Sequence, residues 1–203
     1  MKKVILVANQ CDYVPFYNDC DYIGIDKGSL YCINHHIKMK YAIGDFDSIN
    51  EDELQLLKDN TEIISLPKRK NESDGEYAIR FANLKGYDQI DVYGVIGGRQ
   101  DHFLTILYLL RYHDIPFRMF DKQNCIYRLD KGEYKIPKNS KYISIFACEE
   151  LNLTLEGVEY PLNNVHISPK DLYLVSNEII DTATIKCDGR ILIVESNDVK
   201  MSC

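Results

Sequence analysis

Three short segments carry side chains that could do chemistry together. Gly44-Asp45-Phe46-Asp47-Ser48 sets two carboxylates at i and i+2. On an extended segment that spacing points both to one side. The preceding glycine permits a tight turn or the close approach of a ligand. Asp-x-Asp is common in loops, so on spacing alone it reads equally as a solvated acidic turn. Ser73-Asp74-Gly75-Glu76 has the capping-box form S-x-x-E, which predicts a helix start with Asp74 in its first turn. The helix dipole favours a carboxylate there whatever its role. Just upstream, Lys68-Arg69-Lys70 is the one dense basic run of an acidic chain, either a solvated face or a phosphate contact. The third segment is Gly97-Gly98-Arg99-Gln100-Asp101-His102. Consecutive glycines let backbone N–H groups approach an anion. Arg99 offers a bidentate fork for phosphate oxygens, and Asp101, at a predicted helix start, could hold a metal. His102 taken alone reads as a capping histidine.

Asp45, Asp47, Asp74 and Asp101, with Arg69, Lys70 and Arg99 among them, make a set of oxygen ligands and cations without sulfur or paired histidines. Such a set favours a hard cation such as Mg²⁺. A bridging Mg²⁺ would turn repulsion between carboxylates and polyphosphate into attraction, as phosphoryl-type transfer requires. Other phosphate sites are excluded by pattern. The chain has no G-x-x-x-x-G-K-[ST] and no G-x-G-x-x-G, so neither a P-loop nor a dinucleotide fingerprint is present. His35-His36 lacks metal spacing, and no G-x-S-x-G occurs.

The elements that must carry these segments are legible as alternating patterns. Strands are predicted at residues 4–8, 22–25, 41–43, 63–66, 90–93 and 117–120. Helices are predicted at 27–34, 51–58 (capped by Ser48 or Asn50), 73–84 (ended by Gly86) and 101–112. Alternation of this kind means βαβ units and a parallel sheet, with all three segments at its carboxyl edge. The helix at 101–112 is almost wholly apolar and is expected to be buried. After residue 122, short period-two runs take over, at 125–129, 134–136, 142–148, 151–155, 172–175, 182–186 and 191–194. These suggest an antiparallel sandwich. The expected domains are therefore an α/β domain over 1–122 and a β-sandwich over 123–203, without a flexible linker.

Composition agrees with an ordinary globular protein. Of 203 residues, 45% are apolar and 27% charged, and the formal net charge is −7. Disorder is excluded by the apolar content, and a nucleic-acid partner by the acidic balance. The opening Met1-Lys2-Lys3 and its apolar run imitate a signal peptide, but the run ends at Asn9-Gln10 and reads as a buried strand. No run approaches the ~18 apolar residues of a membrane helix. Seven cysteines, Cys203 among them, without a Cys-x-x-Cys pair indicate free thiols in a reducing cytoplasm.

In this order and spacing the motifs resemble the thiamine pyrophosphokinase family, nearly end to end. The resemblance rests on Asp26 in a D-x-G segment, Gly44 to Ser48, Ser73-Asp74, Gly97 to His102, and then Asp121, Asn124 and Ser176-Asn177-Glu178. It implies a Rossmann-like α/β nucleotide-binding domain, a β-sandwich that binds thiamine, and a homodimer with the active site at the subunit interface. The implied reaction converts ATP and thiamine into AMP and thiamine diphosphate. Asp45, Asp47, Asp74 and Asp101 are then expected to bind Mg²⁺ and serve the chemistry. Asp26, Lys70, Arg99, His102, Asp121 and Asn124 would meet nucleotide and phosphate, and Ser176, Asn177 and Glu178 would meet thiamine. The chain departs from the family at Lys27 (for Gly), Asn71 (for Asp) and Ile106 (for a common Asn). Two other classes compete: a Mg²⁺-dependent phosphohydrolase, suggested by Asp45-x-Asp47, and a non-catalytic nucleotide or thiamine sensor. AMP formation separates the first reading from both.

Overall fold

The computed structural model describes residues 1–198; Cys203 lies outside the described residues. The chain divides into two units, Met1–Lys122 and a second beginning at Gln123. The first unit runs β1 (Lys3–Val7), β2 (Asp21–Ile25), α1 (Lys27–Asn34), β3 (Tyr41–Gly44), α2 (Glu51–Asn60), β4 (Glu62–Ser65), α3 (Asp74–Leu84), β5 (Gln89–Tyr93), α4 (Gln100–Tyr112) and β6 (Arg118–Phe120). Every strand pair in it is parallel, in the order β6-β5-β1-β2-β3-β4. The chain thus winds outward from β1 in one direction and resumes on the other side of β1 with β5. A crevice opens at such a reversal, at the carboxyl ends of the strands. Val4, Ile5, Leu6 and Val7 are all fully buried, as a central parallel strand covered on both faces demands.

Local signals place the helices. Asn50 accepts from Glu53 N–H at 2.9 Å while Glu53 accepts from Asn50 N–H at 2.9 Å, a reciprocal capping box for α2. Ser73 caps α3 by accepting from Glu76 N–H at 3.2 Å. The reverse half of that box is absent, because Glu76 turns to Arg80 instead, 2.8 Å away. Asp91, 2% exposed, is neutralised by Arg118 at 2.8 and 3.0 Å and by Lys3 at 3.3 Å. This buried charge ties β5 to both of its neighbours, and burial is tolerated because the partners are close and aligned.

The expectation that α4 is buried fails. Ile106, Leu109 and Leu110 face the core, but Leu104, Tyr108 and Tyr112 are exposed. These three recur every fourth residue, so they share one stripe of the helix. An apolar composition did not distinguish a covered face from an open one.

The second unit contains β7 (Asn124–Leu129), β8 (Gly132–Pro137), β9 (Tyr142–Ala147), β10 (Leu151–Val158), β11 (Leu162–Ile167), β12 (Asn177–Cys187) and β13 (Ile191–Ser196). Its strands pair antiparallel. One set joins β7, β13, β9 and the first two residues of β12. Another joins β8, the rest of β12, β10 and β11. β12 therefore belongs to both sets, and inward residues of each, such as Ile145, Ile193, Leu153 and Ile185, share one core. The predicted strand at 172–175 is not formed. Only Leu174 is buried there, its carbonyl accepting from Ile145 N–H at 2.8 Å. β11 escaped the sequence reading because Leu162-Asn163-Asn164 is polar and Asn164 has a φ of 49°.

Truncating the fully buried Ile5 to Ala should cost about 2–5 kcal/mol, read as a shift in the urea midpoint. Leu84→Ala, at an 85% exposed site, should stay within about 0.5 kcal/mol of the unchanged protein. Equal effects at the two positions would contradict the assigned faces.

Candidate active site

Five loops at the carboxyl edge of the parallel sheet line one cleft. Ala8, Asn9 and Gln10 follow β1, Asp26 follows β2, Asp45 and Asp47 follow β3, Ser73 and Asp74 open α3, and Gly94, Gly97, Arg99 and His102 follow β5. The cleft sits where the strand order reverses at β1.

Three carboxylates converge in it. Single oxygens of Asp26, Asp45 and Asp74 lie within 4.8 Å of one another. Asp26 is a non-glycine residue at a φ of 47°, and its N–H donates to the Ile43 carbonyl at 3.0 Å. That strained turn aims its carboxylate across the neighbouring strand end. Gly44 makes room for it, since a Cβ at position 44 would collide with Asp26 Oδ1. The Asp26 Oδ1 atom is buried without a hydrogen-bond partner among the described residues. Asp45-Phe46-Asp47 is a turn, not the extended segment expected. Phe46 has a φ of 55° and is buried, and Asp45 Oδ1 accepts from Asp47 N–H at 3.1 Å. The two aspartates consequently diverge: Asp45 joins the trio, while Asp47 stays exposed on the cleft wall.

The electrostatics follow from this crowding. Burial, and next the charge of Asp74, push the Asp26 carboxyl up to about 7. Lys70 Nζ stands 2.8 Å from Asp74 Oδ1 in a close ion pair without hydrogen-bond alignment. Burial works against the Lys70 charge, but Asp74, Asp45 and Asp26 outweigh it, so its ammonium is held above the usual range. The N-termini of α1, α3 and α4 start at this edge, and their dipoles favour anions there.

The glycine loop supplies a further part of the cleft wall. Gly97 and Gly98 have φ values of 90° and 61°, a left-handed path that glycine follows readily. Arg99 is exposed and pairs with Asp101 at 2.6 Å, which holds the Asp101 carboxyl below its usual range. Asp101, grouped by the sequence with Asp45, Asp47 and Asp74, is not among the three carboxylates that converge here, whereas Asp26 is. His102 lines the cleft. Asp121 follows β6 in the first unit, and Asn124 opens β7 in the second. Sequence reasoning also missed Asn9 and Gln10. Their signal was available: two amides directly after the most buried strand.

The thiamine candidates belong to the second unit. Ser176 and Glu178 are exposed and Asn177 between them is buried. Glu178 lies 3.9 Å from Lys141 Nζ.

Comparison with known proteins finds matching family models and similar chains. The family model "Thiamin pyrophosphokinase, catalytic domain" matches residues 16–120. The model "Thiamin pyrophosphokinase, vitamin B1 binding domain" matches residues 133–192. A thiamine pyrophosphokinase of Bacillus subtilis (strain 168) is 36% identical over 187 residues, 87% of either chain. The crystal structure of a thiamine pyrophosphokinase from Bacillus subtilis is similar with a TM-score of 0.86 and 33% identity, covering 98% of this chain and 100% of that one. A thiamin pyrophosphokinase family protein from Enterococcus faecalis is similar with a TM-score of 0.86 and 28% identity, over 98% and 100% of the two chains.

The Asp26 proton has a measurable consequence. Folded Asp26 keeps it up to about pH 7, whereas an unfolded aspartate loses it near pH ~4. The folded state binds more protons in that window, so Asp26 withdraws stability as pH rises through it and adds no further slope above it. In chelator-treated protein, Asp26→Asn should gain urea stability relative to the unchanged chain between pH ~4.5 and ~7. A difference that is constant over that range, or of opposite sign, would refute the assignment.

Proposed function

The chain belongs to the thiamin pyrophosphokinase family, and on that premise we propose that it transfers the pyrophosphoryl group of ATP to the hydroxyl of thiamine, in the presence of Mg²⁺. The observation that carries this reading is the convergence of Asp26, Asp45 and Asp74 beside a glycine loop and Arg99. An all-oxygen carboxylate set in which buried oxygens of Asp26 and Asp74 lack a hydrogen-bond partner among the described residues fits a hard divalent cation. Asp26, Asp45 and Asp74 would hold Mg²⁺, with Asp47 at the rim. Bound there, the ion would neutralise phosphate charge and make the β-phosphorus more electrophilic.

The residues of the chain supply positioning. The helix N-termini and the N–H groups of Gly97 and Gly98 favour phosphate oxygens. Arg99 can exchange Asp101 for a phosphate, a swap eased by the exposure of that pair. Lys70 holds Asp74 and adds a second positive charge. The thiamine oxygen attacks the β-phosphorus, the bond from that phosphorus to the α–β bridging oxygen breaks, and AMP leaves with the bridging oxygen. The hydroxyl proton passes to a carboxylate of the cleft or to water. In-line transfer of this kind needs orientation and charge stabilisation more than covalent chemistry. His102, Asp121 and Asn124 serve the nucleotide end.

The first unit is read as a Rossmann-like nucleotide domain and the second as a β-sandwich for thiamine. Glu178 suits thiamine, which is a cation with a hydrogen-bonding aminopyrimidine. The working unit is inferred to be a homodimer with its active site at the subunit interface. The exposed stripe of Leu104, Tyr108 and Tyr112 supports a subunit contact. A cytoplasmic setting suits the free thiols among the described residues, and no described helix is long and apolar enough to cross a membrane.

Incubation with ATP, Mg²⁺ and thiamine should yield AMP and thiamine diphosphate in equal amounts, each dependent on thiamine. ADP or free phosphate as the product would overturn the reading, as would nucleotide binding without turnover. Asp74→Asn should remain folded and lose at least ~100-fold in kcat. Wild-type turnover in that variant would remove Asp74 from the chemistry.

A further inference from the structure

We propose that Ser144 is a positioning residue for thiamine recognition, acting on Ser176 and Glu178 with Asn177 as a second anchor. The inference rests on the reading of the second unit as the thiamine site.

Ser176 and Glu178 are exposed and flank a buried Asn177, so both can face a ligand while Asn177 points into the protein. Ser176 has a φ of 57°, a left-handed conformation that a residue with a Cβ adopts only when its surroundings impose it. The imposition is visible. Ser176 N–H donates to Ser144 Oγ at 2.9 Å. Ser144 lies in β9 and is 7% exposed. It is too covered to touch a ligand broadly, yet it is placed to hold the backbone that does.

The neighbours of Ser144 complete the clamp. Ile145 N–H donates to the Leu174 carbonyl at 2.8 Å. In the register of β9 and β12, Asn177 lies opposite Ile143 and Glu178 opposite Tyr142. Four successive residues of β9 thus meet positions 178, 177, 176 and 174 in order. At Ser176 alone the left-handed turn takes its N–H to a side chain, and Ser144 provides the acceptor there.

Asn177 grips from the opposite side. Its Oδ1 accepts from Tyr160 N–H at 3.0 Å and its Nδ2 donates to the Tyr160 carbonyl at 2.9 Å. Glu159 N–H also donates to the Glu178 carbonyl at 3.0 Å. The Asn177 amide is therefore committed to the β10–β11 turn. Ser176 and Glu178 are displayed, and Asn177 and Ser144 fix how they are displayed. A site held this firmly in advance loses little freedom when ligand binds.

The test compares Ser144→Ala, Ser144→Thr, Asn177→Asp and Glu178→Ala, with thermal unfolding of each as a control. Ser144→Ala should raise the KM for thiamine about tenfold and leave kcat and the KM for ATP within about twofold, the pattern of lost uniform binding. Ser144→Thr, which restores the acceptor, should recover most of that loss. Asn177→Asp, which removes the donor to Tyr160, should also raise the thiamine KM. It stands in for Ser144→Ala if that variant does not fold. In a Glu178→Ala background, Ser144→Ala should add less than it does alone, because both act through the same segment. A thiamine KM that rises in Glu178→Ala but not in folded Ser144→Ala overturns the role of Ser144. A thiamine KM unmoved in Glu178→Ala overturns the reading of the thiamine site itself. Equal losses for thiamine and ATP in Ser144→Ala would also refute positioning, since they would mark general damage.

Discussion

Three carboxylates held within 4.8 Å of one another repel, and the rest of the first unit is arranged around that repulsion. Without a cation it is relieved in two ways. Asp26 keeps its proton to an unusually high pH, and Lys70 brings an ammonium against Asp74. Each response is incomplete, because one oxygen of Asp26 and one of Asp74 still lack a hydrogen-bond partner among the described residues. The convergence costs backbone strain as well, since Asp26 and Phe46 both take positive φ values. Strain and buried like charge persist only where surrounding structure enforces them. Here the enforcement comes from a parallel sheet whose central strand is buried along Val4–Val7.

The two units display their polar groups by different means. The first gathers side chains from five loops, each at the end of a strand, so that distant parts of the chain share one cleft. Its polar groups are charged and suited to a charged polyphosphate. The second presents a short run at the start of a strand, held from both sides by hydrogen bonds to backbone.

Much of this was legible from the chain itself, and the failures have physical causes. The helices at α1, α2 and α3 and the strands around them follow from caps and periodicity, as at Asn50 and Ser73. The parallel sheet follows from their alternation. Asp45 and Asp74 were legible because each sits directly after an element boundary. Asp26 was read as a nucleotide contact and not as one of the trio, because nothing local signals that β2 and β3 are neighbours whose ends meet. Asp101 was grouped with Asp45, Asp47 and Asp74 because it opens a helix on a loop at the same sheet edge, yet an arginine two residues away pairs with it. Phe46 turned an apparent i, i+2 pair into a turn, which no propensity marks. The exposed stripe on α4 and the coil at 172–175 share one cause. Apolar composition alone does not say which residues the fold covers and which it leaves at the surface.

The central claim is that Asp26, Asp45 and Asp74 form one divalent-cation site that serves the nucleotide. Titration of chelator-treated protein with Mn²⁺ in the presence of a non-hydrolysable ATP analogue, with free Mn²⁺ followed by electron paramagnetic resonance, addresses it directly. The unchanged chain should bind Mn²⁺, and Asp26→Asn, Asp45→Asn and Asp74→Asn should each weaken that binding by at least about tenfold, the lower end of what losing a supporting group alone costs. Folded variants that bind Mn²⁺ as tightly as the unchanged chain would contradict the site.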